Sequence, residues 1–106
     1  DDIRDSIAIE LIKKLLKKQV KIVVYDPKAN KNTKIVFEEK IKYAKSIPQS
    51  LENSQCAIIM VHWKQFERIS NDSIKVMKRK FIIDCRRVLS EKQLNGQYHA
   101  IGIGKV

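Results

Sequence analysis

Cysteine, glycine and proline are all scarce in this chain of 106 residues, which contains two, three and two of them. The cysteines, Cys56 and Cys85, lie in apolar stretches without C-x-x-C spacing, which argues against a disulfide framework and against a zinc site. The glycines form neither a G-x-G-x-x-G fingerprint nor a Walker A loop. Because free cysteine is among the most buried residue types, we expect both cysteines to be reduced core thiols.

Long apolar runs are also missing from the sequence. None approaches the roughly 20 residues that a membrane-spanning helix needs, and the opening DDIRDS is the reverse of a basic and then apolar signal sequence. The length allows one domain over residues 1–106, and a hydrophobic content of 43% can fill a modest core. We expect a single-domain, cytoplasmic protein without a membrane partner.

Positive charge is in excess, with 22 Lys and Arg against 12 Asp and Glu and a formal net charge of +10. The excess is spread along the chain, at +1 over residues 1–18, +4 over 19–49 and +5 over 50–106. Aromatic residues do not alternate with basic ones, as a stacking platform for nucleic acid would require. The charge is therefore interpreted as solvated surface, with an anionic small ligand or, less favoured, nucleic acid left open.

Helical and strand patterns alternate along the sequence. An amphipathic helix is predicted from Ser6, capped by Asp5 or Ser6, and a polar loop over residues 28–34. Strands are predicted in VKIVVYDP (20–27), IKYA (41–44), CAIIMV (56–61), KFIIDC (80–85) and YHAIGIG (98–104). Between the strands, IVFEEK (35–40) is predicted to be a short helix or irregular, and IPQSLENS (47–54) to form helical turns opened by Ser46. A helical stretch is predicted over 64–79, broken near 70–72, with Ile74 and Met77 facing inward. VLSEKQL (88–94) is predicted to be a short helix or turn.

This alternation predicts an α/β fold built from parallel βαβ units with right-handed crossovers. The architecture is expected to be a Rossmann-like three-layer sandwich with a mainly parallel sheet. Because the chain opens on a helix, the first strand of such a sheet is missing from it. We therefore expect this chain to be a fragment of a larger protein.

Ligands of doubly wound sheets bind beyond the carboxyl ends of the strands. Here those ends lie near residues 25–27, 61–63 and 84–87, and the N-terminus of the first helix, with Arg4, opens at the same edge. One arginine at a helix N-terminus and another at a strand end suit a phosphate or pyrophosphate. His62 and His99 lie far apart in sequence and form no triad or metal motif, so both are interpreted as structural or incidental.

Five short segments carry a family resemblance in their order and spacing: DIRDS (2–6), VVYDPK (23–28), AIIMVHWKQF (57–66), IIDCRRVL (82–89) and YHAIGIG (98–104). Together they resemble the C-terminal, nucleotide-sugar-binding domain of the UDP-glucose/GDP-mannose dehydrogenase family. The resemblance covers essentially the whole chain.

This resemblance implies an oxidation of the sugar's primary alcohol at carbon 6 to a carboxylate with two NAD, through a thioester on a cysteine in another domain. It implies that this chain carries no catalytic residue. The D-x-R-x-S arginine, which reaches the NAD cofactor in the family, carries over to Arg4, and the D-G-R arginine, which contacts the nucleotide sugar, carries over to Arg86. The implied partners are a nucleotide sugar such as UDP-glucose, the upstream Rossmann and central domains, and further copies in a homo-oligomer.

Two features depart from the family pattern. Cys85 stands where the family usually has glycine, and glycine permits backbone conformations that cysteine resists, so the sequence leaves open whether the loop around Arg86 keeps the family's backbone. The family's F-K motif, whose lysine contacts substrate, is expected upstream, as is the domain with the catalytic cysteine, so this chain alone is expected to be inactive.

Two other functions compete with the dehydrogenase. A stand-alone basic α/β module that binds nucleic acid or another phosphate-bearing ligand is the alternative left open. A receiver-like regulatory domain is disfavoured, because the acidic cluster that would hold magnesium at the strand ends is missing.

Overall fold

The computed structural model describes residues 2–27, 30–90 and 93–101, with the backbone alone at 2–6 and 30–32. The chain forms two compact units, residues 1–50 and 51–106, each with its own sheet. Within the described ranges, no helix is both long and apolar enough to cross a bilayer. The single domain predicted over residues 1–106 stays a prediction.

The first unit opens with helix α1 (Asp2–Lys17). The helix begins four residues before the predicted start at Ser6, so Asp5 and Ser6 lie inside it and the predicted caps are wrong. Acidic residue types in a first turn are favourable next to the positive end of the helix dipole, which is consistent with the earlier start. The helix ends in a left-handed residue, Gln19, with φ of 60°.

The core of the first unit is formed by Ile12, Phe37 and Ile41, which are all buried. Ile12 comes from α1, and Phe37 is the last residue of helix α2 (Asn30–Phe37). Partly buried side chains complete this cluster: Ile9, Leu16, Ile22, Val24 and Tyr43. Beside it, strands β1 (Val23–Val24) and β2 (Lys42–Tyr43) pair in parallel.

The predicted loop over residues 28–34 is wrong, because α2 begins at Asn30. Of the segment 35–40, predicted as a short helix or irregular, residues 35–37 end α2 and residues 38–40 form a 3-10 helix. Residues 28 and 29 lie outside the described part. Helix formation brings Phe37 into the core, and burial of one large aromatic side chain outweighs the weak helix propensity of Asn and Thr. The Tyr43 hydroxyl then donates to the carbonyl oxygen of Glu38 at 2.9 Å, in the 3-10 turn that follows α2.

Strand β1 is shorter and more exposed than VKIVVYDP predicts, since Val20 and Val23 are exposed. By contrast, the helix predicted after Ser46 is confirmed as α3 (Ile47–Leu51). Ser46 Oγ accepts the Gln49 N–H at 3.2 Å, and Gln49 Oε1 accepts the Lys45 N–H at 2.6 Å. These reciprocal bonds satisfy backbone donors at the helix start.

The second unit contains strands β3 (Ala57–Ile59), β4 (Phe81–Asp84) and β5 (Gln97–Ala100), in that order and all parallel. A 3-10 helix (Lys64–Arg68) and helix α4 (Asn71–Ile74) lie between β3 and β4 in the chain. The buried hydrophobic residues of this unit are Leu51, Ile59, Phe66, Ile69, Ile74, Met77, Ile82, Leu89 and Leu94. The inward positions predicted for Ile74 and Met77 are confirmed.

The helix predicted over 64–79 is interrupted at Ser70, as expected, but it does not continue beyond Ile74. The backbone N–H groups of Lys78 and Arg79 donate instead to the carbonyl of Ser54, at 2.8 and 3.3 Å, and the Val76 carbonyl accepts the Asn53 N–H. These hydrogen bonds to residues 53 and 54 replace the backbone hydrogen bonds that a continued helix would form. Residues 91 and 92 of the predicted helix or turn over 88–94 lie outside the described part, and on either side of them the Gln93 N–H donates to the Ser90 carbonyl at 3.0 Å.

Cys56 contradicts the prediction of a core thiol, because it is exposed and precedes β3 instead of lying within it. Ile58 is also 37% exposed, whereas Ile59 is buried, so only one face of β3 is covered. Cys85 is partly buried, and both cysteines are free.

The predicted α/β class is confirmed, since helices and strands mix along the chain and the strand pairs of the described residues are parallel. The strands form two small sheets instead of one. This arrangement is consistent with a Rossmann-like fold.

Candidate functional site

The carboxyl edge of the second unit's sheet brings three chain segments side by side. Ile59, Asp84 and Ala100 lie in register on neighbouring parallel strands, so the residues that follow them leave the sheet together. This edge holds two of the predicted strand ends, residues 61–63 and 84–87. The Cys85 N–H donates to the Ile59 carbonyl at 2.9 Å, which keeps the second of them against β3.

Asp84 is the one buried charged or polar residue of the described chain. Its Oδ1 accepts the N–H of Arg86 at 3.2 Å, and its Oδ2 accepts the N–H of Leu89 at 2.8 Å. The Tyr98 hydroxyl lies 2.8 Å from the same Oδ2 and 2.8 Å from the Leu89 carbonyl oxygen, so its hydrogen is shared by two acceptors. A buried carboxylate is tolerated only with such donors around it, and here they all belong to one loop and one neighbouring strand.

The side chain of Gln93 forms hydrogen bonds that hold the backbone just after Leu89. Its Nε2 donates to the carbonyls of Glu67 and Ile69, at 2.8 and 2.7 Å, and its Oε1 accepts the Ser90 N–H at 3.1 Å. The side chain of Leu89 is buried, and its N–H is bound by Asp84, while the next N–H, of Ser90, is bound by Gln93. The segment from Cys85 to Leu89, which we call the Arg86 loop, is therefore held by side-chain hydrogen bonds at a strand end without any helix of its own.

Arg86 itself is half-buried, and its backbone is held by Asp84. Within the described residues, its guanidinium takes part in no ion pair and no side-chain hydrogen bond. Five N–H donors in a planar fork match the geometry of phosphate and carboxylate. The Arg86 guanidinium, without an ion pair among the described residues, therefore lies on a loop at the edge where α/β sheets bind ligands.

Cys85 does not adopt the positive φ that favours glycine, and whether cysteine alters this loop relative to the family stays a prediction. The left-handed residue is Arg87, with φ of 52°. Burial raises the pKa of the Cys85 thiol, and the neighbouring Asp84 charge raises the pKa further. A thiol with a raised pKa is a poor nucleophile at neutral pH.

His62 has a partner that the sequence did not predict. Its Nε2 lies 2.6 Å from Glu67 Oε2, and both side chains are exposed. The pair connects the segment after β3 to the 3-10 helix.

Arg4 lies in the first turn of α1, but its side chain is outside the described part of the structure, so its role stays a prediction. Asp26 is partly buried two residues after β1. Both belong to the first unit, whereas Arg86 belongs to the second.

Asp84, Tyr98 and Gln93 are the residues that the sequence reasoning missed. A signal for Asp84 exists, because an acid that ends the apolar run FII has to find donors wherever the strand is buried. No comparable signal exists for Tyr98, whose contact depends on the register between β4 and β5.

Comparison with known proteins identifies the same family as the sequence resemblance. The sequence matches the model of the UDP-glucose/GDP-mannose dehydrogenase family, UDP binding domain, over residues 1–91. It is 36% identical over 93 residues to the UDP-glucose 6-dehydrogenase AglM of Haloferax volcanii, which covers 88% of this chain and 21% of that protein.

Two further relatives extend the comparison. A UDP-glucose 6-dehydrogenase of Rickettsia typhi is 33% identical over 107 residues, covering 96% of this chain and 25% of that protein. A UDP-N-acetyl-D-mannosamine dehydrogenase of Methanococcus vannielii is 29% identical over 94 residues, covering 85% of this chain and 20% of that protein. The chain therefore spans a quarter or less of the length of these curated relatives.

Proposed function

Because this chain belongs to the UDP-glucose/GDP-mannose dehydrogenase family, as its UDP-binding domain, we propose that it binds the nucleotide sugar of an NAD-dependent nucleotide-sugar 6-dehydrogenase. The reaction is the oxidation of the sugar's primary alcohol at carbon 6 to a carboxylate. The nucleophilic cysteine and the main NAD-binding domain belong to other parts of the same polypeptide. The working enzyme is a homo-oligomer.

The observation that carries this proposal is the uncommitted guanidinium of Arg86 on a fastened loop at the carboxyl edge. A UDP-sugar offers a diphosphate anion, and a half-buried arginine binds such an anion more strongly than an exposed one because solvent screens it less. The names of the relatives include two different UDP-sugars, so the shared UDP moiety is the ligand that this domain recognises.

Arg4 is proposed to contact the NAD cofactor. It lies in the N-terminal turn of a helix of 16 residues, where free N–H groups and the helix dipole favour a pyrophosphate. When bound, NAD supplies the acceptor for hydride. The proposed role of this chain toward NAD is to bind and orient its pyrophosphate.

The proposed role of Arg86 is tested by Arg86→Ala in the full-length enzyme. Loss of a charged hydrogen bond is expected to weaken UDP-glucose binding by roughly 1.5 to 3 kcal/mol, which raises the KM for UDP-glucose about 10- to 150-fold. Arg68→Ala removes an exposed positive charge from the same unit and serves as the matched control. An Arg86→Ala enzyme with the KM of the wild type contradicts this role.

A further inference from the structure

Tyr98 reaches the Arg86 loop from a strand that is distant in sequence. It lies in β5 opposite Ile82, and its hydroxyl oxygen is 2.8 Å from both Asp84 Oδ2 and the Leu89 carbonyl oxygen. Asp84 in turn holds the backbone N–H groups of Arg86 and Leu89. One phenol and one carboxylate thus connect the beginning of the loop, its end and the neighbouring strand.

We propose that Tyr98 and Asp84 are positioning residues that fix the backbone of the Arg86 loop and thereby aim Arg86 at the UDP moiety. This inference rests on the proposed function of Arg86. Tyr98 acts through Asp84 and Leu89, and its own hydroxyl is committed to them.

The geometry favours a positioning role for two reasons. First, within the described residues the Arg86 guanidinium has no bond that would fix its direction, so its direction depends on its backbone. Second, the buried Asp84 carboxylate has no basic side chain within hydrogen-bonding distance among those described, and its bonds are to Arg86 N–H, Leu89 N–H and the Tyr98 hydroxyl. Removal of the Tyr98 hydroxyl therefore weakens the restraint on both ends of the loop.

A positioning residue is distinguished from a merely stabilising one by its dependence on Arg86. If Tyr98 acts by aiming Arg86, its hydroxyl contributes nothing to ligand affinity once the guanidinium is gone. If it only stabilises the fold, its removal has the same effect in either background. A double-mutant cycle separates these cases.

The experiment measures UDP dissociation constants by calorimetry at 10 °C for the full-length protein and for Tyr98→Phe, Arg86→Ala and the double variant. We expect Tyr98→Phe to weaken UDP binding about 3- to 10-fold when Arg86 is present and less than about 2-fold when it is absent. The KM for NAD is expected to stay unchanged. The low temperature keeps a variant folded that has lost one hydrogen bond.

Tyr43→Phe is the matched control. Tyr43 is also a half-buried tyrosine whose hydroxyl donates to backbone carbonyls, those of Glu38 and Thr33, but it lies in the first unit. Its removal is expected to lower the melting temperature without changing UDP affinity.

The outcomes separate the two proposals. If Arg86→Ala weakens UDP binding and Tyr98→Phe does not, the positioning inference is overturned and the proposed function stands. Equal effects of Tyr98→Phe in both backgrounds also overturn the inference. If Arg86→Ala leaves UDP affinity unchanged, the proposed function of Arg86 fails, and the inference fails with it.

Discussion

Gly96 precedes β5 at a point where the backbone leaves no room for a side chain. A Cβ atom at this position would lie 2.5 Å from the backbone carbonyl oxygen of Lys80 and 2.9 Å from its Cβ. The same carbonyl accepts the Gln97 N–H at 2.8 Å, so it cannot move away without loss of the bond that begins the β4–β5 pairing.

Gly96→Ala is therefore expected to destabilise the chain by about 1 to 3 kcal/mol, as overpacking against backbone does. Urea unfolding of the 106-residue chain measures the effect. Asn95→Ala is the control, because the Asn95 side chain is exposed and only its N–H takes part in a described contact, with Asn71. Equal midpoints for the Gly96→Ala and wild-type chains would show that the close approach is absent.

Gln19 is the left-handed residue that ends α1. The Val20 N–H donates to the Leu15 carbonyl at 3.3 Å and the Gln19 N–H to the Leu16 carbonyl at 3.0 Å, which is a Schellman motif without its usual glycine. A residue with a side chain loses roughly 1 to 2 kcal/mol of stability in the left-handed conformation. Glycine avoids this strain, but part of the gain is offset because glycine has more conformational entropy in the unfolded chain.

Gln19→Gly is accordingly expected to stabilise the chain by about 0.5 to 1 kcal/mol. Lys18→Gly, one residue earlier and without positive φ, is expected to destabilise it by about the same amount. Thermal unfolding of the two variants measures the signs. A lower stability for Gln19→Gly than for the wild type would exclude the Schellman geometry at this helix end.

At the scale of elements, the Arg86 loop is held mainly by side chains of other segments. Gln93→Ala removes three side-chain hydrogen bonds, two donated to the carbonyls of Glu67 and Ile69 and one accepted from the Ser90 N–H, and we expect a loss of about 1 to 2 kcal/mol in unfolding free energy. Amide hydrogen exchange should accelerate at Leu89 and Ser90, while protection of Ile82 in β4 changes little. Gln55→Ala, at an exposed glutamine of the same unit, is the control. Unchanged exchange at Leu89 would mean that Gln93 does not hold the loop.

The predictability of each element follows from where its stabilising contacts lie. The helix α1 shows its apolar periodicity locally, and the short α3 shows its Ser46 cap, so both are predicted from the sequence. Helix α2 is missed because residues 30–34 are polar and only the packing of Phe37 reveals their conformation. The segment 75–79 is assigned to a helix wrongly, because its alternative partner, the Ser54 carbonyl, is more than twenty residues away.

The candidate site shows the same limit. Arg86 is predicted from its place at a strand end and from its motif, both of which are local. The residues that hold it, Asp84, Tyr98 and Gln93, come together only through the parallel register of β4 with β5 and the return of the loop to residues 67–69. Such side-chain to backbone contacts have no fixed sequence spacing and are therefore invisible before the fold is known.

At the scale of the whole molecule, this chain matches one domain of its family, the UDP binding domain. It supplies a parallel sheet, a fastened loop and an arginine, and it matches a quarter or less of the length of its relatives. Its positive charge is compatible with an anionic ligand, and we propose that Arg86, half-buried at the strand end, is the charge that contacts the diphosphate.

The most direct test of this account is the stoichiometry of NADH formation when the purified full-length protein oxidises a limiting amount of UDP-glucose with excess NAD. Oxidation of an alcohol to a carboxylate removes four electrons, so the account predicts two NADH for each UDP-glucose consumed. Arg86→Ala should slow this reaction at low UDP-glucose and approach the wild-type rate at saturation. If no NADH forms with UDP-glucose or another UDP-sugar, the account is contradicted and a stand-alone phosphate-binding module becomes the better description.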